Sequence, residues 1–270
     1  MVTYGDIGVT IPVPGEGVRI DSQAAAGNPD SGRSLYVQVG LDGVITVDTS
    51  EQTVPTGKES ASAETAAGSP SGCSDDYFLP FYFEETTSYD WYIGDGGMPG
   101  ALSKADAQSA FAEAIHNITN SWNDCGMPDT IDSDATYMGT TTYESDISTS
   151  STCLERDGKS TWDAGDIGDG HTATTCTWLR KIDGSMDDSL ESDVRFNTHD
   201  FDFTDFPTST CTNKYDIRST GTHEAGHIFG LGHAPREGHD FLTMAVMGIP
   251  CSVAHRTLGR GDLDTLEAIY

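Results

Sequence analysis

The stretch HEAGHIFGLGH, from His223 to His233, carries three of the chain's eight histidines in eleven residues. No other feature constrains the chain as much. Residues four apart on an α-helix share a face, with Cβ atoms about 5–6 Å apart, so a helix here lets His223 and His227 aim ring nitrogens at one point. Gly230 has no Cβ and can take the left-handed conformation that ends a helix, turning the chain so that His233 returns to the same point. Glu224 lies off the ligand face but within reach of a water held there. Three neutral imidazoles and one open position are the ligand set of a catalytic zinc rather than a closed structural one. The ligand type favours zinc over copper or iron.

Charge narrows the partners. The chain has 43 acidic and 14 basic residues and a formal net charge of -29, which excludes electrostatic attraction to nucleic acid or anionic lipid. A strongly hydrated surface, in a secreted or high-salt protein, accounts for the acidity. The alternative is bound calcium, for which Asp163, Asp166 and Asp169 are the best candidates, although their spacing misses the EF-hand pattern. No membrane span is expected, because apolar runs such as Phe241 to Met247 are far shorter than about 18–20 residues.

Six cysteines, at 73, 125, 153, 176, 211 and 251, are scattered with no CxxC pair. They suit three disulfides in an oxidising compartment, hence a secreted, extracellular protein. The opening residues MVTYGDIGVTIPVPGEG have neither a basic start nor an apolar h-region, so no signal peptide is visible. Either an export signal was removed or the compartment differs.

Composition divides the chain in three. Residues 1–50 alternate short β-rich runs (Val9 to Val13, Leu35 to Val39, Gly43 to Val47) with turns, a small segment expected to be a pro-segment, a folding aid or an accessory module with no share in the chemistry. Residues 51–72, rich in Ser, Ala, Thr, Gly and Pro, read as a flexible linker. Residues 73–270 form the main domain. In it the aromatic run Tyr77 to Phe83 predicts a buried strand. Ser103 and Asp106 predict the start of a long helix, along which Phe111, Ala114, Ile115, Ile118 and Trp122 recur on one face, with His116 at its boundary. Thr130 to Thr220 shows no helical period, only strand-like runs such as Thr172 to Leu179. Helices then follow at about Thr220 to Phe229 and Asp262 to Ile269.

At this point HEAGHIFGLGH resembles the long zinc signature of the metzincin metallopeptidases, with Gly226 and Leu231 matching the variant of matrixins and matrixin-like bacterial secreted proteases. DVRFNT before the motif, CTNKYDIRSTGTHEAGH leading into it and RTLGRGD after it extend the likeness more loosely over residues 73–270. The resemblance implies an α/β (α+β) zincin fold: a twisted, mostly parallel sheet, two long helices, and a cleft between a larger N-terminal and a smaller C-terminal lobe. It also implies a methionine turn beneath the zinc, for which Met244 fits the spacing better than the alternative Met247. Ala234 stands where matrixins usually have Ser, and no Tyr follows the methionine turn, so a tyrosine helper is not expected. His171 and His199 stand alone, so one zinc is expected.

The resulting expectation is a monomeric zinc endopeptidase acting on a protein or peptide substrate, with His223, His227 and His233 as ligands and Glu224 as general base. Alternatives are an inactive zinc-binding adhesion or binding module, and a zinc hydrolase of non-peptide amides. The substrate would lie along a strand edge, for which Asp193, Val194, Arg195, Phe196 and Asn197 are the candidates, with a plain core strand as the alternative. Cys125-Gly-Met-Pro-Asp129 resembles a matrixin cysteine switch but follows the first helix instead of preceding it. Cys125 is therefore expected in a disulfide with Cys73. Local order then suggests Cys153 with Cys176 and Cys211 with Cys251, out of fifteen connectivities open to six cysteines.

Overall fold

A computed structural model describes residues 1–28, 32–49, 71–81, 83–85, 88–129, 131–180, 187–235 and 238–270. The elements run β1 (Val2–Tyr4), β2 (Ile7–Val9), β3 (Glu16–Ala24), β4 (Arg33–Val39), β5 (Ile45–Asp48), β6 (Phe83–Glu84), β7 (Ser88–Ile93), α1 (Lys104–Thr119), β8 (Asp134–Thr140), β9 (Thr152–Cys153), β10 (Ser160–Gly165), β11 (His171–Arg180), β12 (Asp187–Asn197), β13 (Asp202–Thr204), β14 (Lys214–Asp216), α2 (Ile217–Ile228) and α3 (Arg260–Ile269). Nearly all of the expected linker, residues 51–70, lies outside the described residues.

One nine-stranded sheet dominates, in the order β5-β4-β3-β11-β12-β10-β7-β8 with β6 beside β12. Strands β12, β10, β7 and β8 pair in parallel, whereas β12, β11, β3, β4 and β5 pair antiparallel. This overturns the expected α/β fold with a mostly parallel metzincin sheet and two long helices. Strand accounts for 35% of the structure and helix for 20%, so the protein is mostly β. Only α1, with 16 residues, is long; α2 has 12 and α3 has 10.

The physical reason is β3. Its sequence, EGVRIDSQA, alternates Val18 and Ile20 with Arg19 and Asp21 as a strand with one face in water would, yet both faces are buried and its backbone satisfies the hydrogen-bonding edge of β11 from His171 to Arg180. Residues read as a separate N-terminal segment thereby continue the sheet. Nor do residues 238–270 stand apart as a lobe, because Leu258, Leu263, Leu266 and Ile269 share one core with α1 and α2.

That core fills the space between the helices and one sheet face. Phe111 of α1 stacks on Phe196 at 5.4 Å between ring centroids and tilts against Trp162 at 5.1 Å. Ser103 caps α1 by accepting a bond from the Asp106 N–H at 3.2 Å, as the sequence predicts, and Phe111, Ala114, Ile115 and Ile118 are buried. Trp122, placed on the same stripe, lies beyond the helix end and is exposed. Across from α1, Gly221 allows α2 a close approach; a Cβ there would lie 2.9 Å from the Ala114 Cβ. A second core, on the opposite face of β11, joins Ile7, Val9, Val18, Ile20, Leu35 and Val37 to Ile147, Ile167 and Trp178.

The aromatic run from Tyr77 also departs from expectation. Only Phe83 of its described residues is in a strand, Phe78 is exposed, and Tyr82 lies outside the described residues. Leu79 and Phe81 instead exchange backbone bonds with Gly232 and Gly230, each 2.8 Å, and so brace the chain as it leaves the histidine motif. The six cysteines join as Cys73–Cys125, Cys153–Cys176 and Cys211–Cys251. Among the described residues no helix is long and apolar enough to cross a membrane.

Candidate metal centre

Helix α2 begins where Asp216 accepts the Ser219 N–H at 2.8 Å, an N-cap bond of the ordinary kind. It stops through glycine: Gly230 has φ +88°, the Leu231 N–H donates to the Gly226 carbonyl at 2.9 Å, and the Gly230 N–H donates to the His227 carbonyl at 3.2 Å. This pair of bonds is a Schellman motif. A Cβ on Gly230 would also lie 2.8 Å from the Phe83 carbonyl oxygen. The turn swings His233 back over the helix.

The three rings meet at their Nε2 atoms. His223 and His227 are 3.1 Å apart there, His227 and His233 3.0 Å, and His233 and His223 3.2 Å. The far nitrogens are engaged elsewhere: His223 Nδ1 with the Thr243 carbonyl at 2.9 Å, His227 Nδ1 with the Leu231 carbonyl at 2.9 Å, and His233 Nδ1 facing Ser34 Oγ at 3.4 Å. A carbonyl only accepts, so Nδ1 of His223 and of His227 carries the proton and Nε2 presents a lone pair. Burial pushes the His227 imidazole down to about 3 and both other rings well below their ordinary value, so all three are neutral.

Lone pairs turned toward one another at this distance repel unless a cation lies among them. Nitrogen ligands about 2.0–2.1 Å from a tetrahedral zinc stand roughly 3.3 Å apart, close to the observed spacing. The residues therefore fit the ion. Carbonyl partners on the distal nitrogens are the usual second layer of such a site, fixing tautomer and ring orientation.

Glu224 is wholly buried beside the triad. Its Oε2 accepts the Thr175 hydroxyl at 2.6 Å, and Oε1 has no hydrogen-bond partner among the described residues. Burial raises the carboxyl to about 8, against the Thr175 hydrogen bond. Met244 lies under the helix, where a Cβ on Gly226 would meet its Sδ at 2.3 Å; Met247 instead bridges to Ala24. Asp262 of α3 holds the turn at Met244 by accepting the N–H groups of Thr243 at 2.8 Å and Met244 at 3.2 Å.

No protein-family model and no curated protein matches this chain. Roles are therefore read from these residues alone.

Two sequence expectations are corrected here. Asp193 to Asn197 lies in β12, paired on one side with β10 and on the other with β11, so its edges are taken and it is a core strand. Arg195 within it is committed to a buried ion pair, donating to Asp163 at 2.8 and 2.7 Å. That pair, with a further bond from Ser145, takes Asp163 out of the acidic loop read as a calcium candidate. Asp166 instead approaches His199 and Asp200, at the surface. His171 is buried with Nε2 3.3 Å from Asp6.

Thr175, Asp262, Asp21 and Ser34 belong to the site's surroundings and were not read from the sequence. Asp21 is buried on β3, paired with Arg19 at 2.7 and 2.8 Å and accepting the Ser34 hydroxyl. Burial pushes its carboxyl up, but the charge and hydrogen bond of Arg19, together with the neighbouring His227 and His233, outweigh that and hold it at about 2. The one signal open to a reader was the i, i+2 pairing of Arg19 and Asp21, which puts opposite charges on one strand face.

Proposed function

We propose that the chain is an extracellular zinc-dependent endopeptidase. The observation that carries this reading is the convergence of three neutral imidazole Nε2 atoms within 3.0–3.2 Å of one another, beside a buried carboxylate with one oxygen unpartnered. His223, His227 and His233 would hold the ion. When bound, zinc supplies Lewis acidity, lowering the pKa of water from 15.7 toward about 7 and polarising a carbonyl. Glu224 moves the protons. Thr175 anchors its Oε2, leaving Oε1 to take a proton from the attacking water and return it to the departing amine. Burial raises this carboxyl to about 8 against the Thr175 hydrogen bond; a cation held at the triad would draw it down, toward the range where one group both accepts and returns a proton near neutrality.

The likeness to metzincin peptidases rests on the motif and its methionine, not on the sheet. Three disulfides support an oxidising compartment. The test is hydrolysis of a mixed peptide library, with and without chelator, by the full chain and by the chain nicked between residues 51 and 70. Glu224→Gln keeps size and most hydrogen bonding, so zinc and fold should survive while hydrolysis falls about 10²–10⁴-fold. A Glu224→Gln protein cleaving at the parent rate contradicts the mechanism. A parent holding one zinc but cleaving no peptide in either form favours the binding module.

A further inference from the structure

The outer partners of the three histidines differ in kind. His223 and His227 stand one turn apart on α2, and each donates from Nδ1 to a backbone carbonyl, of Thr243 and of Leu231. Helix and carbonyl together fix those two rings. His233 has neither support. It lies beyond the helix end, past Gly230, and its Nδ1 faces a side chain, Ser34 Oγ on β4, at 3.4 Å.

The direction of each bond follows from what the groups can give. Asp21 is directly opposite Ser34 in the register of β3 and β4, and opposed residues of an antiparallel pair share a face. Ser34 Oγ donates to Asp21 Oδ1 at 2.5 Å. A carboxylate only accepts, so the hydroxyl proton points there and the lone pairs of Oγ face the imidazole. His233 must then donate from Nδ1, which leaves its Nε2 bare and turned toward the Nε2 atoms of His227 and His223 at 3.0 and 3.2 Å. The relay selects the tautomer that a metal needs. Asp21 is held in place by its own partners. It is 1% exposed, and a buried carboxylate is costly unless paired and hydrogen-bonded. Arg19 supplies the pair, with Nε on Oδ2 at 2.7 Å and a second guanidinium nitrogen on Oδ1 at 2.8 Å. The guanidinium lies 3.0 Å from the centre of the Phe81 ring, and the Phe81 N–H donates to the Gly230 carbonyl at 2.8 Å, in the turn that carries His233 back. The ligand atoms within 4.8 Å of one another at this centre are those of the three histidines, so Asp21 stands outside the ligand set and acts through Ser34.

We propose that Ser34 and Asp21 are positioning residues of the metal centre: Asp21 polarises the Ser34 hydroxyl, which accepts the Nδ1–H of His233, orients that ring and raises the basicity of its Nε2 toward the ion. The inference rests on the reading of the triad as a zinc site. It concerns the ligand that needs an outer partner most, since His233 alone of the three is not carried by α2. Strands β3 and β4, which composition placed in a segment with no share in the chemistry, then supply the outer support of the third ligand. Loss of such a partner lowers metal affinity about 10–100-fold.

The experiment uses the full chain and reads zinc affinity by competition with a chromogenic chelator, for the parent, Ser34→Ala and Ser22→Ala. Ser22 is the control for a merely structural role: it is the neighbour of Asp21 on β3, and its hydroxyl is engaged with Thr174 Oγ1 at 2.8 Å instead. Ser34→Ala should weaken zinc about 10–100-fold, while Ser22→Ala should leave it at the parent value. With cobalt in place of zinc, the visible absorption bands should shift in Ser34→Ala and not in Ser22→Ala. Should Ser34→Ala fail to fold, the parent itself decides. In its zinc-loaded form, labelled with nitrogen-15 in histidine, the His233 Nδ1 proton should resonate downfield and be protected from exchange like those of His223 and His227. A His233 proton that exchanges freely overturns the proposal, as does Ser34→Ala holding zinc as the parent does. Equal weakening in Ser22→Ala and Ser34→Ala also overturns it, because the loss is then one of strand packing. These outcomes leave the zinc reading standing. A parent with no affinity for zinc overturns that reading, and this inference with it.

Discussion

Asp146, Glu191 and Asp193 place carboxylate oxygens within 4.8 Å of one another, on the sheet away from the histidines. Glu191 Oε1 and Oε2 accept the N–H groups of Asp157 at 3.1 Å and Gly158 at 2.6 Å, and Asp193 Oδ1 accepts that of Thr161 at 2.7 Å. Even so, burial raises Asp146 to about 6, Glu191 to about 7 and Asp193 well above the ordinary carboxylate value. Between pH about 4 and about 7 the folded chain therefore binds more protons here than the unfolded chain, so this cluster's contribution to stability falls as pH rises through that window. Glu191→Gln removes part of the dependence. Thermal melts from pH 4 to 8 should show its midpoint gaining on the parent's as pH rises. Parallel curves refute the assignment, and taking the difference cancels the opposite trend of the buried histidines. At this scale the triad and Glu224 were legible because their chemistry is written as a spacing. Thr175, Asp21 and Ser34 were not, because they reach the site through strand pairing across 49, 206 and 199 residues of chain, which no local pattern encodes.

Among the elements, α2 depends on what it excludes. Gly226 leaves room for Met244, and a Cβ there would sit 2.3 Å from Sδ and 3.0 Å from Cε. Gly226→Ala gains helix propensity of about 1 kcal/mol, but overpacking against a buried side chain costs about 1–3 kcal/mol. A net loss is expected, together with weaker zinc retention as His223 and His227 shift on the helix. Adding Met244→Ala should recover part of the loss. Denaturant titrations of both singles and the double measure this coupling; additive losses contradict the contact. Helices α1, α2 and α3 were legible in outline from periodicity, capping residues and Gly230. Strand β3 was missed because its charges are paired internally rather than turned to solvent, and the Tyr77 to Phe83 run was over-read because apolar content alone does not separate a strand from an extended brace.

Over the whole molecule, α1 and α2 pack together on one face of the sheet, α2 against β11, where the parallel and antiparallel halves meet. The expectation of a mostly parallel sheet failed because composition marked residues 51–72 as a boundary and said nothing of which edge the preceding strands would find. The disulfides agree with local order: each spans 23 to 52 residues within the part of the chain after residue 72. The central claim is that these three histidines hold one zinc that the chemistry requires. Elemental analysis of the gel-filtered full chain, beside His227→Ala prepared identically, tests it most directly. The account predicts one zinc per parent chain and loss of it in the variant, with the disulfides intact. A parent that retains no zinc after loading, or a His227→Ala chain that retains it with parent affinity, contradicts it.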